Sequence, residues 1–244
     1  MDPARISELL QPFLAASGED RSSQAVSDPE GTALLSPEQL SNISIYIDLL
    51  LRWNARVNLT AIRQPEEIVT RHFGESLFAA RHLFRSPQLD FSQAPVRLID
   101  IGSGAGFPGL PIKIWAPNLH ATLTESNHKK ATFLREVIRT LRLTSIDVFA
   151  GRAEDFPTPA DFVTVRAVER FELILPTALR LVAANGSLAL MIGEAQVQSV
   201  GERAPDLQWL EPMPIPLSSS RVLLIGSRGS ERAGSGRTGV NQTD

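Results

Sequence analysis

The stretch from Val96 to Gly109 restricts what this chain can fold into more than any other. An apolar run ends in a lone acid, Asp100, and passes through Gly102, Gly104 and Gly106 before Pro108 offers a first turn for a helix. The pattern predicts strand, glycine turn and helix start. Glycine reaches positive φ and carries no Cβ, so backbone here can approach a ligand at the carboxyl end of a parallel strand. A second apolar run, Ala121 to Thr124, ends in Glu125, at the spacing where a second strand offers an acid to ribose hydroxyls.

Two nucleoside cofactors compete for such a site. Gly104 to Gly109 satisfies the literal dinucleotide pattern G-x-G-x-x-G, which admits an NAD(P)-dependent oxidoreductase. Asp100, two residues before the first glycine, favours S-adenosylmethionine instead. A carboxylate there suits a ligand with an ammonium and a sulfonium, whereas it repels a pyrophosphate. An ordinary strand-to-helix turn without ligand is the third reading.

Composition narrows the class. The 244 residues, 43% of them hydrophobic, suffice for one α/β domain with an appendage. There is no cysteine, and the four histidines show no metal-ligand spacing, so no metal or disulfide is expected. The N-terminus lacks the pattern of a signal peptide, and no apolar run approaches the roughly 20 residues that span a bilayer, so a cytoplasmic protein is expected. The net charge of -3 hides a segregation. Residues 1–51 carry two arginines against eight acids, whereas 52–85 carry six arginines against three acids, and 113–142 carry six Lys/Arg against Glu125 and Glu136. Basic segments of this kind fit either a phosphate-binding patch or a solvated helix face. Arg56, Arg71, His72, Lys129 and Lys130 are the candidates for a nucleic-acid contact.

Along the chain, Ile6, Leu9, Leu10, Phe13 and Leu14 predict a short amphipathic helix, followed by a polar and mobile stretch at 17–31. Ser36-Pro37-Glu38-Gln39 is a capping box that opens a helix with Leu40, Ile43, Ile47, Leu50 and Leu51 on one face. A further helix is expected from Pro65 to about Phe84. The predicted division is a helical portion over 1–86, a catalytic α/β domain over 87–226 and a disordered tail over 227–244. Strands are expected at Val96–Ile101, Ala121–Thr124, Ile146–Ala150, Phe162–Val165, Ser187–Ile192 and Arg221–Gly226. After the third strand, Ala153 and Glu154 could meet an adenine. After the fourth, Arg166 stands where a guanidinium either enters the ligand crevice or forms a structural ion pair. Phe107 either lines the pocket or packs a helix.

Trp53-Asn54, Val57 to Ile62, Arg71-His72-Phe73, Asp100 to Gly109, Gly151 to Glu154 and Arg166-Ala167-Val168 together resemble the ribosomal RNA small subunit methyltransferase G family, also called glucose-inhibited division protein B. The likeness runs from about Leu35 to Ile225. It implies a Rossmann-like, mostly parallel seven-stranded class I methyltransferase sheet with a helical N-terminal portion. It also implies S-adenosylmethionine as donor, S-adenosylhomocysteine as product, and N7 of one guanine in the decoding region of 16S rRNA in the 30S subunit as acceptor. By motif position it makes Gly102, Phe107, Ala153, Glu154 and Arg166 cofactor-binding candidates beside Asp100, Gly104, Gly106 and Glu125, with Arg166 also a positioning candidate. The family usually has Lys-Gly after the fifth strand, where this chain has Ile192-Gly193, and often a small residue where this chain has Val165. A monomer is expected. A non-catalytic RNA-binding or assembly factor with the same fold is the remaining alternative.

Overall fold

A computed structural model describes residues 1–15, 35–84, 95–166 and 171–229, with the side chain of Phe171 excepted. The polar stretch 17–31, nearly all of the expected linker at 87–95 and the tail beyond 229 lie outside them.

Helices α1 (Pro3–Leu14) and α2 (Pro37–Asn54) open the chain. The capping box forms as expected, with Ser36 and Gln39 exchanging side-chain-to-backbone hydrogen bonds. The single helix expected over 65–84 is interrupted: α3 (Pro65–Ile68) passes through a π-helical turn at Val69–Gly74 before α4 (Glu75–Leu83). The extra residue in such a turn shifts the phase of the helix, and it carries His72 inward.

The sheet follows. Its strands are β1 (Arg97–Ile101), β2 (His120–Thr124), β3 (Ile146–Phe149), β4 (Ala160–Arg166), β5 (Val182–Gly193), β6 (Leu207–Trp209), β7 (Met213–Pro214) and β8 (Arg221–Arg228). Seven run side by side in the order β3-β2-β1-β4-β5-β8-β6, and the two-residue β7 pairs with β8. The first five are mutually parallel, and β8 returns antiparallel to β5. The last strand outruns its expected end at Gly226, because Ser227 pairs with Ser187 and Arg228 with Leu207. Helices α5 (Gly109–Trp115), α6 (His128–Thr140), α7 (Phe171–Leu181) and α8 (Val197–Arg203) complete the described chain.

Side-chain alternation along the strands sorts residues to two cores. Leu98, Leu123, Phe162, Met191 and Leu223 pack on the face covered by α1, α2, α4, α5 and α6. Ile99, Val163, Leu190, Ile192 and Leu224 pack on the face that holds α7 and α8. This parity directs the chemistry. Asp100, Thr164, Arg166 and Arg221 share the parity of the first set, so all four face the layer of the N-terminal helices. Tyr46 of α2 ties that layer to the glycine turn: its buried hydroxyl donates to the Ala105 carbonyl.

Candidate cofactor cleft and arginine cluster

The glycine turn has the conformation its sequence requires. Gly102, Gly104 and Gly106 have φ of 65°, 58° and 95°, in the left-handed region. Asp100 stabilises the turn from below. It is fully buried, Oδ2 accepts the Gly109 N–H at 3.2 Å and Oδ1 accepts the Thr164 hydroxyl at 2.8 Å. Burial raises its carboxyl to about 6. Each oxygen of the acid expected to attract a cationic ligand thus already accepts one hydrogen bond within the fold, and none of its surface reaches solvent. Glu125 does similar work from the second strand, with Oε2 accepting the Gly104 N–H at 2.8 Å and Oε1 the Asn127 N–H at 2.7 Å. A carboxylate has about four acceptor positions, so Glu125 keeps capacity for a hydroxyl donor.

Above the turn, at the carboxyl ends of β1, β2 and β3, lies a cleft of about 410 Å³. Its lining includes Gly102, Thr124, Ser126, Ala153, Glu154 and Leu173. A Cβ added to Gly102 would meet nothing within 4 Å, so the backbone there is open to a ligand. Ala153 and Glu154 lie in a short 3₁₀ turn that Arg180 holds from α7, donating to the carbonyls of Ala153, Glu154 and Phe156. Leu173 is 66% exposed at the edge of the cleft, an apolar surface that a purine would cover. Neither Leu173 nor Arg180 was singled out in the sequence, since each follows the fourth strand by a distance no motif fixes.

The other sequence candidates gather elsewhere. Phe107 is buried and stacks between Tyr46, at 5.4 Å and 5°, and His72, at 4.6 Å and 19°. Arg166 lies outside the lining of the cleft, beside a pocket of about 120 Å³ that it shares with Glu75, Ile192, Gln196 and Arg221. There the Glu75 carboxylate, 2% exposed, accepts from Arg166 at 3.0 Å and from Arg221 at 3.1 Å. Arg166 also donates to the Arg71 carbonyl and to His72 Nδ1 at 3.1 Å. Because a guanidinium only donates, Nδ1 is an acceptor and the His72 proton sits on Nε2, facing Thr60 Oγ1 at 2.8 Å. Asn54 in turn binds the backbone of Leu59 and Thr60. Separate sequence motifs thus form one polar network.

His72, one of the RNA-contact candidates, lies inside this network. It is buried and both nitrogens are engaged. Burial and then the charges of Arg166, Arg71 and Arg221 lower it to about 3, so it is neutral at physiological pH. The sequence showed no histidine near the glycine turn; the π-helical turn brings this one against Phe107. Lys113, counted among the basic residues, is buried too, its ammonium donating to the carbonyls of Pro117 and Leu119. Arg56, Arg71 and Lys129 are exposed and Lys130 is half-buried, with Arg71 paired to Glu67 at 3.6 Å. No group of three or more potential metal ligands occurs among the described residues.

Two outcomes are expected. Gly102→Val places a β-branched side chain in the open cleft at φ 65°, so S-adenosylhomocysteine affinity should fall at least 100-fold while denaturation shows a loss of only about 1–2 kcal/mol. Calorimetric titration of a folded variant with wild-type affinity would contradict the placement. The second concerns pH. His72 is depressed from 6.5 to about 3 on folding, and His82, chiefly through burial, from 6.5 to about 4, so each withdraws stability as pH falls below 6.5. Asp100, raised from 3.8 to about 6, works the other way, returning stability as pH falls from 6 towards 3.8. Two groups outweigh one, so urea denaturation should show a net loss between pH 7 and 5, with a shallower slope in His72→Gln. An unchanged slope would show that His72 is not buried neutral.

The family model described as rRNA small subunit methyltransferase G matches residues 39–216. The ribosomal RNA small subunit methyltransferase G of Chloroflexus aggregans is 38% identical over 204 residues, spanning 78% of this chain and 82% of that protein. The protein of the same name from Bacillus subtilis is 35% identical over 199 residues, spanning 76% and 80%. Among solved structures, a ribosomal protein L11 methylase from Lactobacillus delbrueckii subsp. bulgaricus superposes with a TM-score of 0.52 at 12% identity, over 65% of this chain and 79% of that one. At that identity the likeness concerns the fold. With the sheet order, the glycine turn and the matched span in agreement, the chain belongs to the rRNA small subunit methyltransferase G family.

Proposed function

We propose that this methyltransferase carries a methyl group from S-adenosylmethionine to N7 of one guanine in the decoding region of 16S rRNA, acting as a cytoplasmic monomer on the 30S subunit. The observation that carries the reading is the open cleft over Gly102 in a chain of this family. Residues 1–86 form the helical portion in this reading and 87–226 the catalytic domain. No helix among the described residues is long and apolar enough to cross a membrane.

The cleft fits the cofactor by chemistry as well as by volume. Gly102 admits backbone approach, Glu125, buried beside the lining residues Thr124 and Ser126, keeps acceptor capacity for a ribose hydroxyl, and Ala153, Glu154 and Leu173 line the space assigned to adenine. Asp100 and Phe107 act indirectly, by fixing the turn. When bound, S-adenosylmethionine supplies an electrophilic methyl group, and guanine N7 meets it with an in-plane lone pair that needs no deprotonation. The residues agree with that economy. His72 has no nitrogen free to take a proton, and Asp100 is sealed from substrate. What remains for the protein is positioning and electrostatics. Arg166 and Arg221, held by Glu75, line the small pocket next to the cleft's end of the sheet, where they can orient the acceptor nucleotide through its oxygen atoms.

The oxidoreductase alternative loses its basis, since the G-x-G-x-x-G match falls in a chain of a methyltransferase family. The test is transfer of labelled methyl to 30S subunits from a strain lacking the modification, with nucleoside analysis of the product. The expected product is 7-methylguanosine, formed in single turnover at a rate independent of pH between about 7 and 9. A rate rising tenfold per pH unit, or methylation on N1 or the exocyclic amine, would mean that a base is required.

A further inference from the structure

A groove of about 640 Å³ lies away from the cofactor cleft, between the last turns of α2, the Ala55–Val57 turn and α6. Leu49, Trp53 and Val57 give its lining an apolar part, and the exposed Arg52 and Arg56 a charged one. The only acid in its lining, Glu136, is already neutralised: Arg139 makes three hydrogen bonds to it between 2.9 and 3.1 Å. Among the described residues Arg56 has no ion pair, and Arg52 donates only to the carbonyl of Asp48. The groove therefore carries positive charge over an aromatic and aliphatic surface, while the chain as a whole is at -3. A half-buried tryptophan beside two exposed guanidiniums is chemically suited to a nucleic-acid base stacked on the indole with its phosphates at the edge.

We propose that a single-stranded nucleotide of the RNA substrate docks in this groove, its base against Trp53 and Val57 and its backbone phosphates on Arg52 and Arg56. The inference rests on the reading of the protein as an rRNA methyltransferase and adds a second anchoring point to it. Two contacts with no lining residue in common would fix the orientation of the RNA while the acceptor base alone enters the site. An acidic protein segment would satisfy the charge but not the stacking surface.

The test measures binding of the full chain, with S-adenosylhomocysteine present, to unmodified 30S subunits and to a fluorescent single-stranded decoding-region RNA. The double variant Arg52→Glu/Arg56→Glu should weaken both at least tenfold and make the salt dependence shallower by about 2 in logarithmic slope. Arg52→Lys/Arg56→Lys should retain most of the affinity, and the affinity for S-adenosylhomocysteine should be unchanged throughout. If the charge reversal disturbs folding, Thr140→Glu, which places a carboxylate in the same groove, should weaken RNA in the same way. Unchanged RNA affinity and salt slope would overturn the proposal. So would competition by poly-L-glutamate as effective as that by single-stranded RNA, because charge alone would then account for binding. Methyl transfer to 30S subunits by the wild type and by the groove variants is followed in parallel. Transfer that ignores the groove overturns the groove alone, and groove-dependent binding without transfer overturns the function alone.

Discussion

The buried carboxylate of Glu75 is the point on which the functional end of this protein depends. It stands almost sealed from solvent between two guanidiniums, one at the end of β4 and one at the start of β8. Removing one partner of such a cluster leaves an uncompensated charge in the interior, so the three side chains form or fail together. Their union joins the N-terminal helices to the middle of the sheet. From Arg166 the order passes to His72, then by stacking to Phe107 and Tyr46, whose hydroxyl returns to the glycine turn at Ala105. A helical layer that sequence alone presents as an appendage is thereby part of the support for the cofactor cleft.

What was legible in the sequence was local. Ser36 and Gln39 signal their helix through a cap four residues long, and Gly102, Gly104 and Gly106 signal a turn because few other residues adopt their φ. Strand-end positions followed from short apolar runs, and Ala153 and Glu154, singled out after the third of them and by the family motif, line the cleft. The Glu75 cluster was not legible. Its partners are 91 and 146 residues away in sequence, and the π-helical turn that aims His72 leaves no periodic signal distinct from an ordinary helix. Lys113 shows the converse error, in which a charge count treats a buried ammonium as surface. β6 and β7, at three and two residues, are too short for a pattern.

Asp100 illustrates a further limit. Its position before the glycines was read as an attraction for a cationic ligand, and the fold adds what the sequence does not show, two hydrogen bonds that tie the carboxylate to Gly109 and Thr164. Arg166 is similar. The alternatives of ligand contact and ion pair merge, since the ion pair with Glu75 is what would hold the guanidinium ready for an acceptor.

The separation of the cofactor cleft from the arginine cluster is the central claim, and a crystal structure with S-adenosylhomocysteine tests it most directly. The account predicts adenosine in the cleft bounded by Gly102, Ala153, Glu154 and Leu173, with the Arg166–Glu75 pair intact. A ligand whose carboxylate takes Arg166 away from Glu75, or one bound outside that cleft, would contradict it.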